Sequence, residues 1–443
     1  MMDPSAPSPD AVAPRWQPPA LAWLLLFFYA TALLSIGLSE DWRLQHEDNG
    51  ALHTSFARAH LDLGLSRTRA HDIFFTPTTG VGFFYSHHPP ATSLVLAGAF
   101  ALVGSDAPWV ARVVAVAFHL ASLALFVALL RIHLPPALAL CGGVLFATVP
   151  MSAYFGRMVN YEVLCLTGVL LQLFGYARWK TGRARSGLGL LALGILFGGL
   201  IDWPAFFVAV ALGLAEALAA LRGERAAWRG FVAIGAVASA VFAVDLTHLV
   251  VANGSLCGLL DVLGSKQQGV VVTVASFVEH ELAHGRRYFG RAALLSSALV
   301  AVALLARRAP LVATLGAAAH PRVLGRWLGA SGVAALAYTL AAPSWAIVHA
   351  YWSFYFLPFV VTSLVLVLGA LAERWARGGR VGWIAALVGA AIVFDVGNTA
   401  VRTLIRRHGS PEPYAIQRTL DLRRDNIPPR SWVETPAPDV TAR

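Results

Sequence analysis

Apolar stretches of about twenty residues recur along most of this chain, and no other feature of the sequence constrains its fold as strongly. A helix needs about 20 mostly apolar residues to cross the hydrocarbon layer of a bilayer. Such stretches occupy roughly residues 20–38, 108–131, 136–155, 162–178, 187–202, 204–221, 230–251, 291–306, 327–343, 353–371 and 381–398. They predict an all-α, polytopic membrane bundle of about eleven transmembrane helices.

The composition also indicates a membrane protein and argues against a nucleic-acid partner. Hydrophobic residues make up 57% of the 443 residues and charged residues only 13%, whereas a soluble domain carries about a quarter charged residues. The formal net charge of +10 is spread into short clusters between apolar segments, so no basic patch for nucleic acid is expected. Cys141, Cys165 and Cys257 show no spacing typical of disulfide frameworks or metal clusters.

The distribution of arginine predicts the orientation in the membrane, because cytoplasmic loops are enriched in Lys and Arg. Basic clusters recur in alternate loops, at 178–185, 222–229, 307–326 and 374–380. The short loops of the other side, near 157, 203 and 345, hold Arg157 alone. This asymmetry favours a cytoplasmic N-terminus, provided that the shorter apolar run at 90–104, which follows Pro89-Pro90, is an interfacial helix and not a further span.

This threading divides the chain into three parts. Residues 1–19 are expected to be a disordered cytoplasmic tail, 20–400 a transmembrane catalytic domain, and 401–443 a short extracytoplasmic tail. Within the domain, 39–107 is expected to be a long first extracytoplasmic loop that contains interfacial helices.

Unusual polar residues collect in the loops of the extracytoplasmic side, which therefore carries the expected active site. Placing an ionisable group at membrane depth costs free energy, so such residues usually have a function. The candidates are Glu47, Asp48, His87, His88, Arg157, Asn160, Glu162, Arg286, Arg287, His349 and Tyr351. Asp202 and Trp203 cap a tight connection between two spans, where they serve as a turn former and an interfacial aromatic or belong to the site.

The order of these residues resembles a known family. The series runs Glu47-Asp48-Asn49-Gly50-Ala51, Phe56-Ala57-Arg58, His88-Pro89-Pro90, Gly104, Pro108 and Arg112, followed by Arg157-Met158-Val159-Asn160-Tyr161-Glu162 and by His349 to Pro358. It is similar to the GT-C class of polyprenyl-phosphate-sugar glycosyltransferases, which includes protein O-mannosyltransferases and lipid A aminoarabinose transferases. Where some relatives have Lys before Pro-Pro, this chain has His88, and its second acid is Glu162 rather than the commoner Asp.

The resemblance implies a hexosyl- or pentosyltransferase that uses a polyprenyl-phosphate-linked sugar donor. Its acceptor would be a lipid, a polysaccharide or a protein outside the cytoplasm, and the product would be inverted. Asp48 is the expected base, with Glu47 as its rival, because a carboxylate can deprotonate the acceptor hydroxyl. Glu162 would position the acceptor or help to hold a divalent cation, the one cofactor left open.

The departing phosphate requires cations nearby. The expected partners are His88, Arg157 and His349, followed by Arg286 and Arg287. The chain contains only two lysines beside abundant Ala and Arg, which is typical of a GC-rich genome, so a bacterial plasma membrane is the expected location.

Two other functions remain open from the sequence. His280-Glu281-Leu282-Ala283-His284 fits the H-E-x-x-H pattern of zinc metalloproteases, in which two histidines on one helix face bind the metal and Glu acts as base. A transporter or flippase for a lipid-linked anion is the other alternative, although the sequence shows no internal repeat.

Overall fold

The computed structural model describes residues 17–76, 81–85, 87–254, 272–306, 319–413, 415–417 and 419. In chain order its helices are α1 (Ala20–Leu34), α2 (Asp48–Leu63), α3 (Leu65–Thr68), α4 (Ala91–Val103), α5 (Pro108–His133), α6 (Pro136–Thr148), α7 (Pro150–Phe155), α8 (Tyr161–Lys180), α9 (Ala184–Gly199), α10 (Pro204–Leu221), α11 (Ala227–Asn253), α12 (Val274–Tyr288), α13 (Arg291–Leu305), α14 (Pro321–Ala341), α15 (Pro343–Val348), α16 (Leu357–Ala376) and α17 (Gly379–His408). A 3₁₀ helix, Ala350–Phe356, directly precedes α16.

One short hairpin interrupts the helical architecture of the described residues. Strand β1 (Ile73–Thr76) pairs antiparallel with β2 (Val81–Phe84), and Ile73 lies opposite Phe84. The hairpin lies between α3 and α4, inside the loop predicted at 39–107. This loop is therefore built from three helices and a hairpin.

Each predicted span falls on a helix, but the helices differ in their ability to cross a bilayer. Among the described residues, five helical segments are long and apolar enough: α5, α10, α11, the 3₁₀ helix together with α16, and α17. A sixth arises if α12 and α13, which meet at a bend of 118°, form one broken span. The molecule is a polytopic helical membrane protein, and the count of about eleven spans stays a prediction.

The predicted span at 136–155 illustrates why the count is uncertain from sequence. Pro150 divides this region into α6, with 13 residues, and the short helix α7. Proline lacks a backbone N–H and restricts the preceding residue to extended geometry, so it ends α6 at Thr148. A 13-residue helix is only about 20 Å long, shorter than the roughly 30 Å hydrocarbon layer.

The two predicted tails lie mostly outside the described residues. Residues 1–16 of the first tail and 420–443 of the second lie outside the described residues. The last helix, α17, runs through the predicted boundary at 400 and ends at His408.

Glycines let α8 and α9 pack against each other at short range. A Cβ atom on Gly168 would lie 2.5 Å from the Cα of Gly198. Small residues allow such backbone contact between membrane helices. The pairing places the start of α8 beside the turn that follows α9, where the Cys165 thiol donates to the Asp202 carbonyl oxygen at 3.8 Å.

Candidate active site

A cavity of about 190 Å³ lies where the first loop meets the N-terminus of α8 and the segment between α15 and α16. The residues that line it are Asp48, Asn49, Leu52, His53, Tyr85, His87, His88, Asn160, Tyr161, Glu162, Trp345, His349, Tyr351 and Trp352. Seven of the predicted site residues therefore share one cavity, namely Asp48, His87, His88, Asn160, Glu162, His349 and Tyr351.

The two carboxylates of the cavity occupy equivalent positions on different helices. Asp48 lies in the first turn of α2, and Glu162 lies in the first turn of α8. A helix N-terminus carries a partial positive charge that stabilises an ionised carboxylate. Two negative groups that are distant in sequence thus line the same cavity.

One wall of the cavity consists of stacked rings from the first loop and α8. The His88 ring stacks on Tyr161 with a centroid distance of 4.2 Å, and the His87 ring stacks on Tyr85 at 4.4 Å. The Tyr161 hydroxyl donates to the buried carboxylate of Asp72 at 3.3 Å. Stacking and this hydrogen bond hold the two histidines in defined positions.

His88 also has a carboxylate partner, Asp202, in the turn between α9 and α10. The His88 Nδ1 atom lies 2.8 Å from Asp202 Oδ1. The same oxygen accepts from the backbone N–H of Trp203 at 2.8 Å, and the other carboxylate oxygen accepts from the Tyr355 hydroxyl at 3.0 Å. Asp202 is fully buried, so these contacts fix its side chain and, through it, the orientation of the His88 ring.

His53 closes the cavity from the helix α2 side. Its Nε2 atom lies 3.0 Å from Asn160 Oδ1, and its ring meets Tyr161 edge to face with a centroid distance of 4.4 Å. Burial lowers the pKa of His53 from 6.5 to about 4, so the imidazole is neutral at physiological pH.

Glu47 and Arg157 lie outside the cavity lining and contact each other. Glu47 Oε1 accepts from Nη2 of Arg157 at 3.2 Å and lies 3.2 Å from Nη2 of Arg112. Its other oxygen accepts from the backbone N–H groups of Arg43 and Leu44. The geometry makes Glu47 an anchor for the segment before α2, and the catalytic role predicted for it and the phosphate role predicted for Arg157 have no support in these contacts.

The arginines and the H-E-x-x-H pattern of α12 also lie outside the cavity lining. Arg286 and Arg287 are exposed on this helix. His280 is exposed and its Nδ1 lies 2.7 Å from the Ser276 carbonyl oxygen, while His284 Nδ1 lies 3.9 Å from Glu281 Oε1. Within the described part of the chain, no three His, Cys, Asp or Glu side chains are grouped so that they could hold a metal ion.

Several lining residues are not among those predicted from the sequence. Leu52, four positions after Asp48, shares its face of α2, whereas His53 lies about 140° around the helix from Asp48, so helical periodicity does not predict that His53 lines the cavity. Tyr85, Trp345 and Trp352 gave no signal beyond their aromatic character, which is also typical of interfacial belts.

Comparisons with known proteins give a match in structure but not in sequence. No protein-family model matches the chain, and no curated protein matches it. The Archaeoglobus fulgidus oligosaccharyltransferase in complex with Zn and sulfate matches with a TM-score of 0.57 at 16% identity, over 86% of this chain and 52% of that one. Archaeal AglB from the same organism, in complex with an inhibitory peptide and a dolichol-phosphate, gives a TM-score of 0.57 at 14% identity, over 95% and 61% of the two chains.

ArnT from Cupriavidus metallidurans, bound to undecaprenyl phosphate, gives a TM-score of 0.55 at 14% identity, over 91% of this chain and 76% of that one. The fold is that of the GT-C glycosyltransferases. The predicted resemblance to the GT-C class is thereby confirmed at the level of the fold. This chain spans about half, 52%, of the length of the oligosaccharyltransferase in complex with Zn and sulfate. At sequence identities of 14% and 16%, these matches show a shared fold alone.

Proposed function

We propose that the protein is an integral membrane glycosyltransferase that moves a sugar from a polyprenyl-phosphate donor to a hydroxyl acceptor on the extracytoplasmic side. The observation that carries the proposal is the shared cavity, in which Asp48 and Glu162 lie among four histidines, His53, His87, His88 and His349. The GT-C neighbours give it context, since ArnT is bound to undecaprenyl phosphate and AglB to a dolichol-phosphate.

Asp48 is the proposed base. Its carboxylate takes the proton of the acceptor hydroxyl while the acceptor oxygen forms a bond to the anomeric carbon of the donor. The bond from that carbon to the phosphate oxygen breaks, and its electron pair leaves with the lipid phosphate. Attack opposite the leaving group inverts the anomeric carbon, and base catalysis of this type contributes roughly 10²- to 10⁴-fold.

Histidines are the proposed partners of the departing phosphate. No lysine or arginine is among the described residues that line the cavity, whereas His87, His88 and His349 are. His88 is the leading candidate because its ring lies in the cavity lining and Asp202 fixes the orientation of that ring through Nδ1. A protonated imidazole donates to a phosphate oxygen and offsets the charge that develops on it.

Glu162 and Asn160 are proposed to orient the acceptor. Both lie at the start of α8, where Asn160 is held by His53. Glu162 is buried, with only 2% of its surface exposed, so its carboxylate is set into the wall of the cavity. Tyr351, on the opposite side, contacts the His349 ring at a centroid distance of 5.0 Å and completes the enclosure.

The two alternative functions receive less support from the geometry. Proteolysis would need His280, Glu281 and His284 around one metal, but the exposed His280 is hydrogen-bonded back to its own helix. Transport would need polar groups along a path through the bundle, whereas the cavity lies at one end of α8. A bacterial plasma membrane, a lipid, polysaccharide or protein acceptor, and the absence of a nucleic-acid partner all remain part of the proposal.

The test is a transfer assay in membranes that contain the full chain, with radiolabelled polyprenyl-phosphate sugars as donors. Asp48→Asn keeps the size of the side chain but removes the base, so transfer should fall by roughly 10²-fold or more. Asp62→Asn is the matched control, because Asp62 is exposed near the other end of the same helix.

Transfer that survives Asp48→Asn at the level of the control would refute the proposed base. If the wild-type protein transfers no sugar from any polyprenyl-phosphate donor, and all of the radiolabelled sugar stays attached to the lipid phosphate, the proposed donor class is refuted. Detergent-solubilised variants should elute as the wild type does on size exclusion, which separates loss of chemistry from loss of folding.

A further inference from the structure

A second recess of about 460 Å³ lies at the far end of the bundle from the catalytic cavity. It is formed where the C-terminal ends of α5 and α8 meet the start of α14, and the basic residue types in its lining are Arg131, Arg178, Arg183 and His320. Glu162 begins α8 and Arg178 lies near its end, so about 24 Å of helix separates the two sites at 1.5 Å per residue.

The recess differs from a neighbouring basic cluster in its charge balance. Lys180 and Arg326, at the same end of the bundle, are both paired with the buried Glu216, and Arg326 also contacts Glu224. No carboxylate is among the described residues that line the recess. One basic cluster is therefore neutralised within the protein, and the other presents positive charge to whatever enters it.

Arg178 supplies the detail that points to a ligand. Its Nε atom is buried and has no hydrogen-bond partner among the described residues, although Nη2 donates to Ser186 at 3.3 Å. The guanidinium lies over the Phe174 ring, 5.4 Å from its centroid. A buried N–H donor without an acceptor is costly, and an anion in the recess would satisfy it.

The apolar part of the lining indicates where the anion comes from. Ile132 and Phe174 line the same recess as the arginines, and Arg131 lies over the Trp23 ring at 5.5 Å. Tryptophan and arginine at helix ends are typical of the headgroup layer of a membrane. Basic pockets between membrane helices at the cytoplasmic side bind anionic headgroups.

We infer that this recess binds the phosphate of an anionic membrane lipid, with the guanidinium groups of Arg131 and Arg178 as its principal contacts. The acyl chains lie along Ile132 and Phe174, and Arg183 and His320 border the headgroup. This site is independent of the glycosyltransferase proposal, because no residue of the catalytic cavity takes part in it.

Binding of phosphatidylglycerol to the purified full-length protein, measured by native mass spectrometry and by thermal shift, tests the inference. Arg131→Gln/Arg178→Gln should weaken retention by about fivefold for each arginine, since a basic residue near a membrane surface contributes about that factor. Arg131→Lys/Arg178→Lys keeps the charge and should restore most of the retention, which attributes the loss to charge, and the thermal shift of the glutamine variant without lipid reports whether it has folded.

Arg225→Gln/Arg229→Gln is the matched control, because both residues are exposed at the same end of the bundle and neither lines the recess. Equal loss of lipid from this control would overturn the inference and indicate general surface attraction. Displacement of the lipid by millimolar inorganic phosphate, or equal retention of phosphatidylcholine, would overturn the assignment to an anionic lipid. Selective loss in the recess variant alone supports it.

Discussion

Glu47 and Asp48 are adjacent in the chain and lie at the start of the same helix, yet their side chains have different surroundings. Glu47 is buried between Arg112 and Arg157 and accepts two backbone hydrogen bonds. Asp48 is partly exposed and lines the cavity that also contains Glu162. One carboxylate faces fixed positive charges of the protein, and the other faces the space that a substrate would fill.

This difference separates a stabilising role for Glu47 from the chemical role proposed for Asp48. Arg112 donates to the carbonyl oxygens of Leu38 and Asp41, and Arg157 donates to that of Ile36, so both arginines hold the segment before α2. Glu47 offsets part of their positive charge and thereby helps to fix the direction in which α2 starts. Asp48 is aimed at the cavity because Glu47 is anchored behind it.

The largest effect that would sharpen this comparison is expected from Glu47→Gln. The substitution leaves two buried guanidinium groups without a carboxylate, and breaking a buried ion pair costs about 3–5 kcal/mol. The melting temperature of the solubilised protein should therefore fall strongly. Asp48→Asn should leave the melting temperature close to that of the wild type, because its side chain is partly exposed.

The comparison would break if the two variants behaved in the opposite way. A stable Glu47→Gln protein without transfer activity, beside an unstable Asp48→Asn protein, would make Glu47 the catalytic base. The thermal melt and the transfer assay on the same preparations distinguish the two cases.

The second effect is a loss of stability at acidic pH. It involves His53 of the cavity wall and two further histidines of the first loop that do not line the cavity. Burial lowers the pKa of His53 to about 4, that of His71 to about 4 and that of His46 to about 3. Between these values and 6.5 the unfolded chain binds protons that the folded chain does not, so stability falls as the pH falls through this window. At about pH 4.5 the protonation of His53 in the unfolded chain alone lowers the free energy of unfolding by about 2–3 kcal/mol.

Thermal melts at about pH 7.5 and about pH 4.5 measure this effect. His53→Gln removes the titrating group while it keeps an amide opposite Asn160, so its melting temperature should shift less with acid than that of the wild type. An unchanged acid shift in the variant would show that His53 is not a source of the pH dependence.

The helices of this fold were predictable from sequence because apolar runs are local signals. Pro108, Pro136, Pro204 and Pro321 mark four helix starts, which agrees with the preference of proline for the first helical turn. The number of true spans was not predictable, since it depends on how short helices such as α6 and α9 are tilted and packed.

The candidate site was predictable only in part. The charge pattern predicts which loops lie on the same side of the membrane, but it does not predict where their side chains point. Asp48, Glu162 and His349 were found since each lies in a loop of the predicted outer face. Arg157 lies in such a loop too, but it turns toward Glu47. The pairing of His88 with Asp202 joins residues more than a hundred positions apart, and no local pattern encodes that contact.

The third effect tests the pairing of His88 with Asp202. Asp202→Asn can keep an acceptor for the Trp203 N–H, but it replaces the oxygen opposite the Tyr355 hydroxyl with an amide and removes the negative charge beside the imidazole. A hydrogen bond to a charged group contributes about 1.5–3 kcal/mol. Transfer should fall by roughly tenfold or more.

A double-mutant cycle distinguishes positioning from a general structural role. Asp202→Asn should add little to the loss already caused by His88→Gln if the carboxylate acts through the histidine. The pH profile of transfer should also move in Asp202→Asn and stay unchanged in a Tyr355→Phe control. Additive losses with an unchanged pH profile would assign Asp202 to the structure alone.

The smallest effect is expected on α12, where the sequence alone offered a metalloprotease. Glu281→Gln and His280→Ala alter side chains outside the cavity lining, and changes at such sites usually alter stability by no more than about 0.5 kcal/mol. Transfer by both variants should stay within about twofold of the wild type, as should transfer by Arg286→Gln on the same helix.

The comparison of Glu47 with Asp48 rests on the idea that a carboxylate acts where the fold aims it, and Glu281 is the sharpest test of that idea because its motif is the strongest in the sequence. If Glu281→Gln abolished a zinc-dependent peptidase activity while Asp48→Asn left transfer intact, the short motif would outweigh the geometry, and the cavity around Asp48 would lose its assignment.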